Sequence, residues 1–140
     1  MDKKLVLDIK IDFNGEILRM EGKNGGVTMI PFTGSVKGEI FNGIVEPCGV
    51  DTQVLNAAKI RHMSARYMLT GKDKNGKDCH IYVENNGYFD ESNGPMTMPF
   101  KTVPTFYTDS EVLAPYLHTN QFMGEGHGME DGLHILMYEV

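Results

Sequence analysis

Residues 60–87 read IRHMSARYMLTGKDKNGKDCHIYVENNG, two alternating apolar/polar runs either side of Lys74-Asn75-Gly76-Lys77. Asn-Gly between such runs is the strongest short-range signal for a β-hairpin. The loop length then decides which side chains meet, because a one-residue slip turns every side chain of a strand to the opposite face. A two-residue loop, Asn75-Gly76, sets Tyr67 opposite Glu84 and leaves both faces mixed. A three-residue loop, Lys74-Asn75-Gly76, closes with Gly76 in the left-handed region and sets Arg66 opposite Glu84. It gathers Met63, Ala65, Tyr67, Leu69, Cys79, Ile81 and Val83 on one face. The other face then holds His62, Ser64, Arg66, Met68, Thr70, His80, Tyr82 and Glu84. The three-residue loop is preferred because it separates apolar from polar.

The rest of the chain carries the same period. Leu5 to Phe13 alternates as a half-buried strand, and Asn14-Gly15 after it predicts a tight two-residue turn. That turn pairs Ile11 with Leu18 and Ile9 with Met20. Asn24-Gly25-Gly26 marks a further turn. Val27 to Phe32 reads as a strand, with Pro31 implying an edge position or a bulge. Glycines within residues 34–45 suggest the bends that turn barrel corners. Pro47 to Asp51 reads as a loop or turn. Val54–Lys59 fits a strand or a helical turn, and Glu111–His118 is equally ambiguous. Phe89–Pro99 reads as a loop, Phe100–Tyr107 as a strand despite Pro104, Gly124–Gly128 as mobile linker-like sequence, and Leu133–Val140 as a last strand. The expectation is an all-β fold, an antiparallel β-barrel of roughly nine or ten strands forming a single domain over 1–140. No internal repeat is visible.

Composition narrows the function classes. Glycine is plentiful at 16 and alanine scarce, which suits strands and turns. The net charge of −6 and the lack of a basic run argue against a nucleic-acid partner. There is no long apolar run to span a bilayer and no signal peptide, so no membrane partner and a cytoplasmic location are expected. Cys79 falls on an apolar strand face and reads as a buried free thiol.

Several short segments, in this order and spacing, resemble a known family. They are Pro47-Cys48-Gly49-Val50-Asp51, then Ala65-Arg66-Tyr67-Met68-Leu69 with Gly76 and Ile81-Tyr82-Val83. Phe100-Lys101-Thr102-x-Pro104-x-Phe106-Tyr107-Thr108 follows, then Tyr116-Leu117-His118-x-Asn120, and Gly124-x-Gly126 before the closing strand. The chain resembles the bacterial and fungal family known as domain of unknown function 3237. That resemblance implies a compact β-barrel of the calycin type and no established reaction. Many relatives carry Trp after the Asp of a Gly-Gly-Asp segment. Here Thr52 follows Asp51, and Cys48 stands in place of a glycine.

Candidate chemistry is sparse. Asp73 to Asp78 has calcium-loop composition, but a loop begun at Gly71 lacks its first carboxylate and has Tyr82 in place of the closing Glu. Gly124-x-Gly126-x-Gly128 lacks the strand, helix and spacing of a dinucleotide site. His62 and His80 share a predicted hairpin face, yet a metal would need a third ligand such as Glu84 or His118, and no His-x-His or His-x-x-x-His pair exists; no metal and no cofactor are expected. There is no Gly-x-Ser-x-Gly elbow, and neither cysteine has a recognisable base partner.

Three functional readings stay open. In the first, the barrel binds a small apolar or aromatic ligand, with Tyr67, Tyr82, Phe106 and His118 as candidate contacts. For Tyr67, Phe106 and Tyr107 the plainer expectation is core packing. In the second, the chain is a cofactor-free isomerase or cyclase acting on a small carbonyl-containing or cyclic metabolite. Asp51 or Glu84 then serves as base, and Arg66 or Tyr67 polarises a carbonyl oxygen. Asp51 is otherwise an ordinary turn former. The Arg66–Glu84 pair lies either outside, with the larger apolar hairpin face inward, or inside a polar barrel. In the third reading the barrel is filled and serves a structural or homo-oligomer-forming role.

Overall fold

The alternating runs become nine antiparallel strands and one short helix in the computed structural model, which describes residues 3–119 and 121–140; Met1, Asp2 and the Asn120 of the resemblance lie outside them. The strands are β1 (Lys4–Asp12), β2 (Leu18–Gly22), β3 (Gly25–Lys37), β4 (Phe41–Asn56), β5 (Ile60–Asp73), β6 (Asp78–Asp90), β7 (Phe100–Thr108), β8 (Phe122–Met129) and β9 (Gly132–Glu139), with helix α1 (Ala114–Leu117) between β7 and β8. β3 to β9 follow one another as neighbours, β9 pairs with β1, and β1 pairs back onto β3. Eight strands therefore close a barrel, and β2 extends the sheet from β3.

The central hairpin has the three-residue loop. Arg66 pairs with Glu84, Tyr67 with Val83 and Lys72 with Asp78. Gly76 has φ +75, a value that L side chains adopt only with strain, and its N–H donates to the Asp73 carbonyl. The Asp73 carboxylate accepts the N–H groups of Asn75 and Lys77 and the Ser110 hydroxyl, which locks the turn to the loop after β7.

The Asn14-Gly15 hairpin does not form. β1 pairs with β3 through Ile9↔Val36 and Ile11↔Gly34, while β2 pairs with β3 through Leu18↔Met29 and Met20↔Val27. β1 and β2 thus run in the same direction along one edge of β3, as two halves of an interrupted strand. Residues 13–17 bulge opposite residues 30–32, where Pro31 has no N–H to offer. Asn14 Nδ2 donates to Thr33 Oγ1 at 2.6 Å and pins the bulge, and a Cβ at Gly15 would sit 2.7 Å from that of Pro31. A β1–β2 hairpin would occupy the edge of β1 that closes the barrel.

Two other segments differ from expectation, and a third, open between strand and helical turn, is strand as far as Asn56. Residues 46–49 are not a separate loop: they bulge within β4, whose pairing with β5 skips from Val45 to Val50. Val54–Asn56 continues β4, and the turn after it includes Lys59 at φ 67. The glycine-rich stretch 124–128 is strand β8, not linker, for reasons of space given below.

The interior is apolar and tight at one end. Leu7, Ile9, Val36, Phe41, Val45, Leu69, Ile81 and Phe106 are essentially inaccessible, each worth about 1.5–3 kcal/mol of burial. Leu113 and Leu117, at the start and finish of α1, seal that end beside the last residues of β7. Cys79 is a buried free thiol and Cys48 is exposed. Among the described residues no helix is long and apolar enough to cross a membrane.

Closure at the β1–β3 seam depends on Gly34, where a Cβ would stand 2.0 Å from the Lys10 carbonyl oxygen. Gly34→Ala should destabilise the protein by about 2–4 kcal/mol in urea unfolding. Gly128→Ala, with nothing within 4 Å of its added carbon, should stay within about 1 kcal/mol of the parent.

Candidate functional site

The unsealed end of the barrel holds a cavity of about 50 Å³. Its walls are mostly apolar, with Phe13, Phe32, Met63, Phe100, Leu133 and Ile135 among them. Four polar side chains share this lining: Asp51, Tyr67, Asn85 and Thr102. Strand pairing brings them together. Asp51 of β4 faces Ala65 of β5, which faces Asn85 of β6, so one inward row crosses three strands. Tyr67 lies two residues from Ala65 on the same face of β5. Thr102 of β7 pairs with Gly124 of β8.

Glycines make the room. A Cβ on Gly124 would sit 2.3 Å from Thr102 Oγ1 and 3.6 Å from Asn85 Oδ1, and one on Gly126 would collide with the Phe100 ring. Hence β8 is glycine-rich although it is regular sheet. A Cβ on Gly49 would come within 3.1 Å of Tyr67 Cβ, and Phe32 meets the Tyr67 ring edge-on at a centroid distance of 5.1 Å.

A relay from the rim orients Asp51. Arg61 clamps Glu91 with Nε and Nη2, both at 3.0 Å, and its Nη1 donates to Gln53 Oε1 at 3.1 Å. With its carbonyl so occupied, Gln53 turns its Nε2 to donate to Asp51 Oδ2 at 2.8 Å. The other oxygen, Asp51 Oδ1, has no hydrogen-bond partner among the described residues, nor do Tyr67 Oη, Asn85 Oδ1 and Thr102 Oγ1. Buried polar atoms are nearly always partnered, so four orphans on one cavity are exceptional. Ser64 Oγ is a fifth, but its position in the β5 pleat places it on the outer face.

Burial sets the protonation states. Asp51 is 9% exposed, and desolvation raises its carboxyl pKa against the opposing pull of the Gln53 hydrogen bond and the Arg61 charge. Tyr67 is 3% exposed; its burial, and then the neighbouring Asp51 charge, push the phenol far above its ordinary value. Tyr67 is therefore a neutral hydroxyl that can donate or accept. Asp51 presents a carboxylate oxygen whose basicity is enhanced.

Of the residues singled out from sequence, Asp51 and Tyr67 meet here. Arg66 and Glu84 do not: they are paired on the outer face at 3.6 Å, with the Arg66 side chain 64% exposed. At that exposure the ion pair contributes about 0–1 kcal/mol. The larger apolar face of the hairpin took the interior and left the pair in water. Tyr82 is on the same outer face, its hydroxyl 3.4 Å from Glu84. Phe106 is core, edge-on to Phe122 at 5.2 Å. His118 Nε2 accepts the Thr108 N–H at the sealed end. His62 stacks on Tyr88 and His80 bonds Asp109, eight positions apart along the hairpin ladder.

Sequence reasoning did not single out Asn85 or Thr102, although Asn85 extends the apolar face read through Cys79, Ile81 and Val83, and Thr102 alternates with Phe100, Pro104 and Phe106 in the segment read as a strand. Gln53, Arg61 and Glu91 gave no local signal, because only the sheet topology brings them together.

The raised Asp51 pKa has a consequence for stability. Between the ordinary carboxyl value and the higher folded value the native state binds more protons than the unfolded chain. Stability therefore falls as pH rises through that window. Asp51→Asn removes the buried charge, so it should raise Tm at pH 7 by about 2–5 °C and flatten the decline above pH ~4. Tyr67→Phe, which deletes an unpartnered buried hydroxyl, should likewise raise Tm by about 2–5 °C. Calorimetric scans across pH check both; a large loss of Tm in either variant would make these polar groups structural.

Over residues 3–140 the chain matches a family described as protein of unknown function (DUF3237), and it belongs to that family. A UPF0311 protein of Clostridium acetobutylicum is 36% identical over 95 residues, 59% of this chain, and the match spans 58% of that protein's own length. Among solved structures, a β-barrel-like protein from Acinetobacter baumannii superposes with a TM-score of 0.72 at 19% identity, over 99% of this chain and 94% of that one. An enzyme from Penicillium herquei gives 0.66 at 16% identity, over 99% and 94%. At these identities the two likenesses concern the fold.

Proposed function

We propose that the protein binds a small, largely apolar molecule at the open end of the barrel and takes up the molecule's oxygen-bearing end. The observation that carries this reading is the convergence of four unpartnered buried polar atoms on an otherwise apolar cavity. Asp51 Oδ1 and Asn85 Oδ1 are acceptors and call for an O–H or N–H on the ligand. Tyr67 and Thr102 can donate to an oxygen. A ring bearing a hydroxyl or a carbonyl meets both demands, and Phe13, Phe32 and Phe100 flank it.

Size sets the mode of binding. About 50 Å³ admits one polar group and a few ring atoms, whereas sites that enclose whole small molecules measure about 300–1,000 Å³. The rest of the ligand has a place outside. Gln53, next to Asp51 on the inner face of β4, also lines a groove of about 380 Å³ shared with Arg19, Thr28, Leu55 and Arg61.

Phenol is the minimal probe. Titrated into isotope-labelled protein, it should shift the amide signals of Asp51, Tyr67, Asn85 and Thr102 saturably at millimolar concentration. The Tyr67→Phe/Thr102→Val variant should weaken binding about tenfold. Shifts that are absent, or that ignore the double substitution, would defeat the reading. Native mass spectrometry of the protein from its own host would then identify the natural ligand.

A second reading, cofactor-free proton transfer, is favoured by one specific observation: a buried carboxylate with one fixed and one free oxygen beside a neutral phenol. Asp51 Oδ1 removes a proton from the carbon next to a carbonyl, Tyr67 donates a hydrogen bond to the enolate oxygen, and Asp51 returns the proton to another carbon. In heavy water, a small cyclic ketone should exchange its α-hydrogens faster with the protein than with Asp51→Asn. Equal rates would leave the site to binding alone.

A further inference from the structure

We propose that β2 is a dimerisation strand, its free edge pairing antiparallel with β2 of a second copy about a two-fold axis through Met20. Among the described residues β2 pairs with β3 alone, because it lies past the point where β1 is covered by β9. All five of its residues are exposed, Leu18 at 59% and Met20 at 68%. Free edges are commonly blunted by shortness, charge, proline or a bulge; Leu18–Gly22 is short and charged, but it has no proline or bulge and its two charges, Arg19 and Glu21, are opposite in sign.

The strand is complementary to itself in three respects. The first is hydrogen bonding. The Met20 carbonyl faces β3, 2.8 Å from where a Cβ on Gly26 would stand, so the alternate peptides of Arg19 and Glu21 face outward. With the axis through Met20, Arg19 of one copy lies opposite Glu21 of the other. Both outward-facing residues exchange N–H and C=O bonds there, on each side of the axis. The second is charge: that register sets each Arg19 guanidinium against a Glu21 carboxylate. Neither residue makes an ion pair among the described residues of its own chain.

The third is shape. Leu18 meets Gly22 of the second copy and Met20 meets its equivalent, all on one face. That face continues across Val27 and Met29 of β3 to Val54 of β4, so two exposed apolar rows become one. A shift of register in either direction loses the Arg–Glu pairing or places Leu18 beyond the strand. The contact is small, so the dimer is a concentration-dependent one. The apolar cavity beside Asp51 lies apart from the paired edge, whereas Arg19 and Glu21 also line the neighbouring groove, so the contact forms at the rim of that groove.

Sedimentation velocity from about 1 to 500 µM tests this with the intact chain. A reversible monomer–dimer equilibrium is expected. Arg19→Glu or Glu21→Arg alone sets like charges opposite each other twice and should weaken it at least tenfold, while the two together should restore it to within about threefold. Glu21→Pro removes an outward N–H and should give monomer with unchanged melting. A monomer at every concentration would overturn the proposal and leave the edge to an extended segment of some other protein. A dimer indifferent to the single reversals would place the interface elsewhere.

Discussion

Closure rests on β1 being paired along both of its edges, to β3 on one side and β9 on the other. A strand used in this way has no edge left for its sequence neighbour. β2 is displaced along β3, the intervening residues bulge opposite Pro31, and β2 extends the sheet beyond the closed barrel. The length of β3 follows from the same requirement, since one half pairs with β1 and the other with β2. A single pairing choice at the seam thus determines the shape of the open end, and with it the groove that adjoins the cavity.

The two ends of the barrel are built from different materials. Leucines flanking α1 fill one, and the Asp73 turn is tied to that end through Ser110. At the other, the inward row turns polar at Asp51 and Asn85, and the neighbouring glycines of β8 hold space open instead of filling it. The same pleat runs through both ends, so the change is one of side chain and not of backbone. Rigid sheet positions the polar groups, and the Glu91–Arg61–Gln53 relay removes the remaining freedom of the Asp51 carboxylate.

Sequence exposes those features whose cause is local. The Lys74–Gly76 loop is legible because Gly76 supplies the positive φ and because only one register separates apolar from polar along the hairpin. Asn14-Gly15 carries an equally strong local signal and misleads, since its competitor is the seam, a contact between residues far apart in sequence. Gly124–Gly128 misleads in the opposite sense: its glycines answer to Thr102 and Phe100 on the adjacent strand, so composition alone resembles a linker. Asp51 and Tyr67 were readable from the chain, and Asn85 and Thr102 lay within reach of the period-two rule. The orienting relay was not, because its three members come from β4, β5 and the loop after β6.

Energetics separate a filled structural barrel from one kept open for a ligand. Each buried polar atom without a partner costs about 1–3 kcal/mol, against a total stability of about 5–15 kcal/mol for an ordinary domain. Four at one end are therefore a large fraction of what holds a chain of this size together. Leucine, valine or phenylalanine at these positions would continue the packing already present at the sealed end. A barrel serving only as scaffold has every physical reason to make that exchange, as Leu69, Ile81, Val83 and Phe106 do farther along the same inward faces. Stability given up at one place, by unpartnered groups that line one apolar cavity, is the usual accompaniment of a site that awaits a polar partner from outside the chain.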